Sequence, residues 1–236
     1  MALIVRHLDQ LNAADLLAMA EFQRSTGIGI YLQPGGENTV HRLDADTADL
    51  SYSVDGVTID FKPTDFTQVN GEMNRSMIDL VVSKLEGNSD DQIVDLFCGL
   101  GNFSLPMARR AGSVIGAEGS LDLINRANEN AHSNDMNNCS FVHADLANSD
   151  DLGKINMRGV TKLLLDPPRT GADAVVKVLD LKHLTRIVYV SCNPVTLARD
   201  AKAIVAQHGF DLVAAGVMDM FPHTAHVESI AVFNKR

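Results

Sequence analysis

The sequence is poor in the residues on which several protein classes depend. It has no tryptophan and only three cysteines in 236 residues, Cys98, Cys139 and Cys192. An odd and sparse set of cysteines makes no disulfide framework and indicates a reducing compartment, here the cytoplasm. Because no two cysteines have the C-x-x-C spacing, we expect no cysteine-based zinc or iron–sulfur site in this chain and no resident metal.

Long apolar runs and an excess of basic residues are missing as well. No run of about 18 apolar residues is present to span a membrane, and no cleavage site of small residues predicts a signal peptide. There are 20 Lys+Arg against 30 Asp+Glu, so the formal net charge is −10. Charge alone therefore disfavours a nucleic-acid partner, since affinity for a polyanion comes mostly from basic groups.

Residues 1–62 have the pattern of a small α+β subdomain. Hydrophobic residues make up 45% of the whole sequence, which is typical of a globular protein. Asn12 can cap a helix over 13–26, and a glycine follows where the helix should end. Asp55-Gly56 separates two β-rich runs, which is the strongest short-range hairpin signal.

Residues 63–236 have the pattern of a larger α/β domain. From about residue 71, helical stretches alternate with buried strands, which predicts right-handed crossovers and a parallel sheet. The last two strands, at 210–218 and 226–234, have no helix between them and predict an antiparallel pair at one sheet edge. The predicted fold class is α/β, a Rossmann-like sheet preceded by the small α+β subdomain.

A nucleotide site is predicted beyond the first strand of this sheet, where ligands bind in open α/β folds. The strand leads into DLFCGLGN (95–102), in which Gly99 and Gly101 allow a tight turn close to a ligand. Glu118 ends the next strand, about 20 residues after the first glycine. A carboxylate there can accept both ribose hydroxyls of an adenosine.

The same spacing fits a dinucleotide such as NAD, but two residues disfavour it. Ser104 replaces the third glycine of G-x-G-x-x-G, and Asp95 would repel a pyrophosphate while accepting from an ammonium group. S-adenosylmethionine, an adenosine that bears an amino acid, therefore fits better than NAD. Asp145 ends the third strand and is either an acceptor for the adenine amino group or a plain turn residue.

Two loops further along carry candidate chemistry. In DPPR (166–169) the prolines make a rigid loop that aims Asp166 at the site, and Arg169 stands where an amine methyltransferase would have an aromatic residue. Cys192 lies between the fifth strand and the next helix. A helix N-terminus favours the nucleophilic thiolate, and the alternative is an inert cysteine at a strand end.

The segment MFPHTAHVES (220–229) supplies a candidate base. Glu228 can act as a general base that His223 or His226 positions, and the alternatives are a metal site or a solvated loop. A cysteine and a base beside S-adenosylmethionine suit methylation of carbon 5 of a pyrimidine. A thiolate added to carbon 6 makes carbon 5 nucleophilic, and the base then removes the carbon 5 proton.

At this point the sequence resembles the RNA uracil-5-methyltransferases over nearly all of 61–236. The resemblance is carried by the strings DFTQVN (65–70), DLFCGLGN, DPPRTG (166–171), SCNP (191–194) and FPHTAHVE (221–228). It implies that Cys192 is the nucleophile, that Glu228 is the base and that RNA is the partner. It also implies an S-adenosylmethionine site lined by Gln68, Phe97, Asn102, Glu118, Asp145 and Asp166.

Residues 1–60 and the string DMFPHT (219–224) are similar to the branch of the family that acts on 23S ribosomal RNA. Members of that branch usually begin with an RNA-binding TRAM barrel and a four-cysteine iron–sulfur segment, and this sequence has neither. We therefore expect the catalytic part of a larger enzyme, either truncated or a natural short form, that binds S-adenosylmethionine and binds RNA weakly through a patch containing Arg169, Arg199 and Lys202. The alternatives are a transfer-RNA uracil-5-methyltransferase, an amine N-methyltransferase, a non-catalytic binding module and an NAD oxidoreductase. A monomer is the default expectation.

Overall fold

The computed structural model describes residues 1–220, 222–224 and 226–236. Phe221 and Ala225, two residues of the string FPHTAHVE, lie outside the described residues. The chain divides into two compact units, one of Met1–Tyr52 with Asp60–Thr67 and one of Ser53–Ile59 with Gln68–Arg236. Within the described residues, no helix has both the length and the apolar character needed to cross a membrane.

The first unit is built around a small sheet and one helix. Its elements are β1 (Ala2–Arg6), α1 (Ala13–Thr26), β2 (Gly29–Gln33) and β3 (His41–Arg42), and β2 pairs with β1 in parallel and with β3 antiparallel. The side chain of Asn12 accepts from the backbone N–H groups of Ala14 and Asp15, and Gly27 follows the helix with a left-handed backbone. Both ends of the helix therefore lie where the sequence predicts them.

A two-stranded hairpin follows. It consists of β4 (Leu50–Val54) and β5 (Val57–Phe61). Both turn residues, Asp55 and Gly56, have positive φ, at 47° and 74°. This is the conformation that Asp-Gly adopts readily in a tight hairpin, so the predicted turn is confirmed.

The second unit alternates helices and strands. Its elements in chain order are α2 (Gly71–Leu85), β6 (Gln92–Leu96), α3 (Ser104–Ala108), β7 (Ser113–Glu118), α4 (Leu121–Ser133), β8 (Cys139–His143), α5 (Ser149–Leu152), β9 (Lys162–Leu165), α6 (Asp173–Val178), β10 (Arg186–Ser191), α7 (Pro194–His208), β11 (Phe210–Met218) and β12 (Glu228–Lys235).

Seven of these strands form one sheet in the order β11-β12-β10-β9-β6-β7-β8. β6 to β10 pair in parallel, whereas β12 runs antiparallel between β10 and β11. The strands near the centre are almost wholly buried, as an apolar parallel sheet covered by helices requires, and Val94, Leu163 and Val188 are 0% exposed. The predicted parallel sheet with an antiparallel pair at one edge is thus confirmed.

The strand order also fixes where a ligand can bind. From β6 the chain first adds β7 and β8 on one side and then β9 and β10 on the other, so the order reverses at β6. Loops that leave the carboxyl ends of neighbouring strands diverge at such a point and open a crevice. The loops that follow the five parallel strands therefore meet at the carboxyl edge of the sheet, which is formed by the carboxyl ends of β6, β7, β8, β9 and β10.

Candidate functional site

The loop after β6 has an unusual backbone conformation, and it leaves free space beside Gly99. Phe97 has a φ of +67°, which is unusual for a residue with a side chain, and its N–H donates to the carbonyl of Ala117 at 2.9 Å. Gly99 has a φ of +55°, and a Cβ added to it would meet no atom within 4 Å. The loop is therefore held to β7 at its start and open to a ligand at the glycine.

Glu118 joins this loop to the start of α4. One carboxylate oxygen accepts from the N–H of Gly99 at 3.3 Å, and the other accepts from the N–H of Ser120 at 3.0 Å. Ser120 in turn caps α4. The carboxylate is therefore fixed between the glycine loop and a helix start, with lone pairs left for a ligand's hydroxyls.

A cavity of about 430 Å³ lies next to these loops. Its lining includes three of the six predicted cofactor residues, Phe97, Glu118 and Asp145. It also includes residues 168 and 170–172 of the loop after β9, and residues 173–174 at the start of α6. Asp145 is exposed, and its carboxylate also accepts from the N–H of Ala147 at 2.9 Å. Asp145 therefore makes a turn at the strand end and also lines the cavity, and its role as an acceptor for the adenine amino group stays a prediction.

The other three predicted cofactor residues are not among the residues that line the cavity. Gln68 is half-buried and lies three residues before α2. Asn102, at the end of the glycine loop, exchanges two 3.0 Å amide hydrogen bonds with the buried Asn74 of α2. Asp166 directly follows β9 and begins the loop that lines the cavity, and its N–H donates to the carbonyl of Leu96 at 3.3 Å.

Asp95 corrects one expectation. We expected its carboxylate to accept from a ligand ammonium group, but the residue is 0% exposed and accepts from the hydroxyl of Ser104 at 2.5 Å. Its second oxygen is buried without a hydrogen-bond partner in the described part of the chain. Burial, with the nearby carboxylate of Glu118, raises the pKa of Asp95 to about 7. Ser104 occupies the position of the third glycine in G-x-G-x-x-G, and its hydrogen bond to Asp95 links α3 to β6.

Cys192 and Glu228 lie next to each other at the carboxyl edge of the sheet because of the pairing of β10 with β12. The last pair of this ladder is Ser191 with Ser229, and Cys192 and Glu228 are the next residues in each direction. Cys192 is partly buried, and Glu228 is 7% exposed. The nucleophile and the base that the sequence predicts are therefore brought together by strands far apart in the chain.

Burial and the charges around Cys192 oppose the thiolate that we expected from the helix start. Burial and the carboxylates of Glu228 and Asp166 raise the pKa of the Cys192 thiol, although the guanidinium of Arg169 lowers it. Burial likewise raises the pKa of Glu228, and Arg169 again opposes this. Cys192 also precedes the cap of α7, Asn193, and therefore lies outside the helix proper. Arg169 is thus the cation that favours the charged form of both groups.

Asp166 adds to a cluster of carboxyl groups with high proton affinity. Burial, together with the charges of Glu228 and Asp95, raises the pKa of Asp166 to about 8. Like charges in a poorly solvated site cannot all ionise, and a cation placed among them would lower their pKa values. The cavity edge therefore suits a positively charged ligand, whereas a pyrophosphate would be repelled.

The two candidate histidines lie at the exposed rim. Nδ1 of His226 is 3.1 Å from an Nη atom of Arg169, and His223 is exposed with a φ of +69°. No group of three or more His, Cys, Asp and Glu side chains in the described part of the chain is placed to hold a metal ion. The contribution of Arg169 was the feature that sequence reasoning missed, since it treated this residue only as a lost aromatic and a phosphate contact.

Comparison with families and curated proteins adds independent findings. A family model described as tRNA (Uracil-5-)-methyltransferase matches residues 2–236. The 23S rRNA (uracil(1939)-C(5))-methyltransferase RlmD of Stenotrophomonas maltophilia is 51% identical over 236 residues, which are 99% of this chain and 53% of that protein. The RlmD of Xanthomonas campestris pv. campestris is 49% identical over 237 residues, again 53% of that protein. The chain spans about half the length of the curated relatives it matches.

Solved structures give the same fold. The Pyrococcus abyssi tRNA (uracil-54, C5)-methyltransferase in complex with S-adenosyl-L-homocysteine has a TM-score of 0.72 and 27% identity, and the match covers 87% of this chain and 50% of that chain. TYW2 of M. jannaschii in complex with AdoMet has a TM-score of 0.61 at 16% identity, over 88% of this chain and 94% of that chain. The second likeness concerns the fold alone.

Proposed function

Because this chain belongs to the tRNA (uracil-5-)-methyltransferase family, we propose that it transfers a methyl group from S-adenosylmethionine to carbon 5 of a uridine in 23S ribosomal RNA. The observation that carries the proposal is the register of β10 and β12, which sets Cys192 beside Glu228 at the ligand edge of the sheet. A scaffold or an amine methyltransferase needs no such pair. The choice of 23S ribosomal RNA is supported by the RlmD relatives, at about 50% identity over this whole chain.

The residues of the cavity fit S-adenosylmethionine. Glu118 would hold the ribose hydroxyls, Phe97 and Asp145 would line the adenosine, and the carboxyl group of Asp166 would face positive charge. Gln68 and Asn102 complete the proposed site. Two amide hydrogen bonds with Asn74 hold the side chain of Asn102 in place. When bound, S-adenosylmethionine supplies an electrophilic methyl group, which carbon 5 of uracil is too weak a nucleophile to accept unaided.

The chain's own residues make carbon 5 reactive and then restore the ring. The thiolate of Cys192 adds to carbon 6 of uracil, which forms an S–C bond and gives carbon 5 the character of an enolate carbon. Once carbon 5 carries its new methyl group, Glu228 removes the carbon 5 proton. The electron pair left behind expels the thiolate from carbon 6, so Cys192 is regenerated. The raised pKa of Glu228 makes it a stronger base for this step.

The remaining assignments follow from the same function. We assign the catalytic domain to residues 63–236, which contain every proposed site residue, and an RNA-facing role to residues 1–62. The three cysteines are unpaired, in keeping with a cytoplasmic protein. We propose a monomer, in which only a local patch of basic side chains contacts RNA.

A methylation assay with two RNA substrates tests the function. The chain is incubated with S-adenosylmethionine labelled in its methyl group and with transcripts of 23S ribosomal RNA or transfer RNA, and the digested nucleosides are analysed by mass spectrometry. We expect 5-methyluridine in the ribosomal transcript and none with Cys192→Ala. Methylation of transfer RNA alone would assign the chain to the other branch, and label on an exocyclic amine would refute carbon 5 as the target.

A mechanism-based trap tests the covalent step separately. Fluorine at carbon 5 cannot leave as a cation, so RNA containing 5-fluorouridine should remain attached to Cys192 after methyl transfer. We expect a protein–RNA band that survives denaturation and that Cys192→Ala eliminates. An equal band from Cys192→Ala would remove this residue from the role of nucleophile.

A further inference from the structure

One wall of the cavity is a loop that lies between β9 and α6. Pro168, Thr170, Gly171 and Ala172 line the cavity from this side. The N–H of Gly171 donates to the carbonyl of Pro168 at 2.8 Å, which closes a turn inside the loop. Further hydrogen bonds reach this loop from β10, from α7 and from the cap of α7, Asn193, all of which flank Cys192 in the chain.

Asp200, on the second turn of α7, is the centre of these contacts. It is 2% exposed, and one of its oxygens accepts from the N–H of Ala172 at 2.7 Å and from the hydroxyl of Tyr189 at 2.7 Å. Its other oxygen accepts from Nε of Arg199 at 2.7 Å. A buried carboxylate with donors on both oxygens is held in one orientation.

The N–H of Ala172 is bonded to both elements that flank Cys192. Besides Asp200 on α7, it contacts the hydroxyl oxygen of Tyr189 on β10 at 3.1 Å. Tyr189 is 0% exposed, three residues before Cys192, and α7 begins two residues after Cys192. The cavity wall is therefore hydrogen-bonded to both of the elements between which Cys192 lies.

Other residues of α7 hold the loop backbone on both sides of Gly171. Nη2 of Arg199 donates to the carbonyl of Thr170 at 3.0 Å. Gly171 has a φ of +79°, and a Cβ there would lie 2.5 Å from Arg199 and 2.7 Å from Asp200. A side chain at this position would strain the backbone and displace the side chain of Arg199 or Asp200.

Arg169, which precedes Thr170 in the loop, is also held through its backbone carbonyl. The side-chain amide of Asn193 and the hydroxyl of Thr196 both donate to the carbonyl of Arg169, at 2.9 and 3.3 Å. The backbone of three loop residues, Arg169, Thr170 and Ala172, is thus bonded to α7. None of these hydrogen bonds involves the thiol of Cys192 or the carboxylate of Glu228.

We propose that Asp200 is a positioning residue for methyl transfer, which fixes the loop wall of the cofactor cavity relative to Cys192. This inference rests on the proposed function. Uracil held on Cys192 and the methyl donor held in the cavity must meet within a narrow range of distance and angle. A shift of about 1 Å between two such partners can lower the rate on the order of 100-fold.

Asp200→Asn tests the proposal because no orientation of an amide satisfies this site. The carboxylate accepts from Arg199 on one side and from Ala172 on the other, whereas an amide has a single acceptor oxygen. Its NH₂ group would then face a donor. We expect the dissociation constant for S-adenosylmethionine to rise about tenfold and the single-turnover methylation rate, at saturating cofactor and RNA, to fall on the order of 100-fold.

Two further variants separate positioning from a loss of stability. Asp211→Asn removes the charge from another carboxylate paired with an arginine, Asp211 with Arg236 at the sheet edge, and should leave both quantities within about twofold of the wild type. Tyr189→Phe deletes a buried hydroxyl but keeps the carboxylate on Ala172. We expect it to lower the thermal midpoint as Asp200→Asn does, while the methylation rate falls at least tenfold less.

Three results would overturn the proposal. One is a folded Asp200→Asn protein with wild-type cofactor affinity and rate. Another is a loss of rate in Tyr189→Phe and Asp200→Asn that simply follows their thermal midpoints. If the wild-type chain methylates no RNA, the proposed function fails, and cofactor binding alone decides the role of Asp200. The third result is then a dissociation constant for S-adenosylmethionine that is the same in Asp200→Asn as in the wild type, which refutes that role.

Discussion

Ser191 of β10 and Ser229 of β12 are the last pair of an antiparallel ladder, and this pair sets the spacing of the two residues beyond it. Cys192 follows Ser191, and Glu228 precedes Ser229. A register shift of one residue would send one of the two side chains to the opposite face of the sheet. The pairing of two serines with no chemical part in the reaction therefore decides whether the nucleophile and the base share one site.

Glu228→Gln should separate the two halves of the reaction. The amide cannot take the carbon 5 proton, while the size of the side chain is kept, so Cys192 can still add to uracil. We expect methylated RNA to accumulate on the protein as a denaturation-resistant adduct, even with ordinary uridine, and the release of 5-methyluridine RNA to fall on the order of 100-fold.

Glu129→Gln is the matched control for this variant. Glu129 is exposed on α4 and pairs with Arg126, so the same chemical change there should leave adduct and release at wild-type levels. Denaturing gels and nucleoside analysis of the free RNA measure both quantities. Free methylated RNA at the wild-type rate from Glu228→Gln would remove Glu228 from the role of base.

Arg169→Met should make Cys192 harder to ionise. Arg169 lowers the pKa of the thiol, against the effects of burial and of the neighbouring carboxylates. Without the guanidinium the pKa rises, so at any one pH near neutrality less thiolate is present and alkylation is slower. The midpoint of the pH profile for alkylation by iodoacetamide should therefore move to higher pH.

Peptide mass spectrometry from about pH 7 to about pH 10 follows Cys192 apart from the other two cysteines. Both of those have raised pKa values caused mainly by burial, which slows their reaction. Lys202→Met, at an exposed cation of α7, serves as control and should leave the profile unchanged. An Arg169→Met profile that coincides with that of the wild type would show that the guanidinium does not act on the thiol.

Glu118→Ala should weaken cofactor binding and leave the fold intact. The variant removes the ribose acceptor and also frees the N–H groups of Gly99 and Ser120, which the carboxylate now binds. Hydrogen bonds to a charged group contribute about 1.5–3 kcal/mol, so we expect the dissociation constant for S-adenosylmethionine to rise about 10- to 100-fold. Calorimetric titration measures it, with Cys192→Ala as a variant that should bind normally. Unchanged affinity in Glu118→Ala would place the ribose elsewhere.

Much of the fold could be predicted because local signals and burial agree. The cap at Asn12, the Asp55-Gly56 turn and the proline and glycine around α7 each fix an end of an element through their own backbone preferences. The shortest elements gave no such signal. Two-residue β3 and four-residue α5 are too brief for a hydrophobic period to be recognised.

Sequence patterns identify candidate residues for the site, but they do not give its electrostatics. The glycine loop, Glu118 and Cys192 stand out as patterns, whereas burial is a property of the folded chain. The sequence could not tell that Asp95 lies fully buried on Ser104, or that burial and two nearby carboxylates would raise the pKa of the Cys192 thiol. Pairings across long sequence distances, such as Asp200 with Ala172, leave no local trace either.

Asp166→Asn should flatten the pH dependence of stability in the ligand-free chain. The pKa of Asp166 is raised from 3.8 to about 8, mainly by burial. Between these values the folded state holds a proton that the unfolded state has lost, so the free energy of unfolding falls as the pH rises. The asparagine cannot titrate, so the stability of the variant should gain on that of the wild type from about pH 4 to about pH 8. Asp173→Asn is the control, because its pairing with Lys177 lowers the pKa of Asp173 and moves its titration below this range. Thermal unfolding curves across the range measure the difference, and parallel pH profiles for Asp166→Asn and the wild type would mean that Asp166 ionises in the folded chain much as it does in the unfolded one.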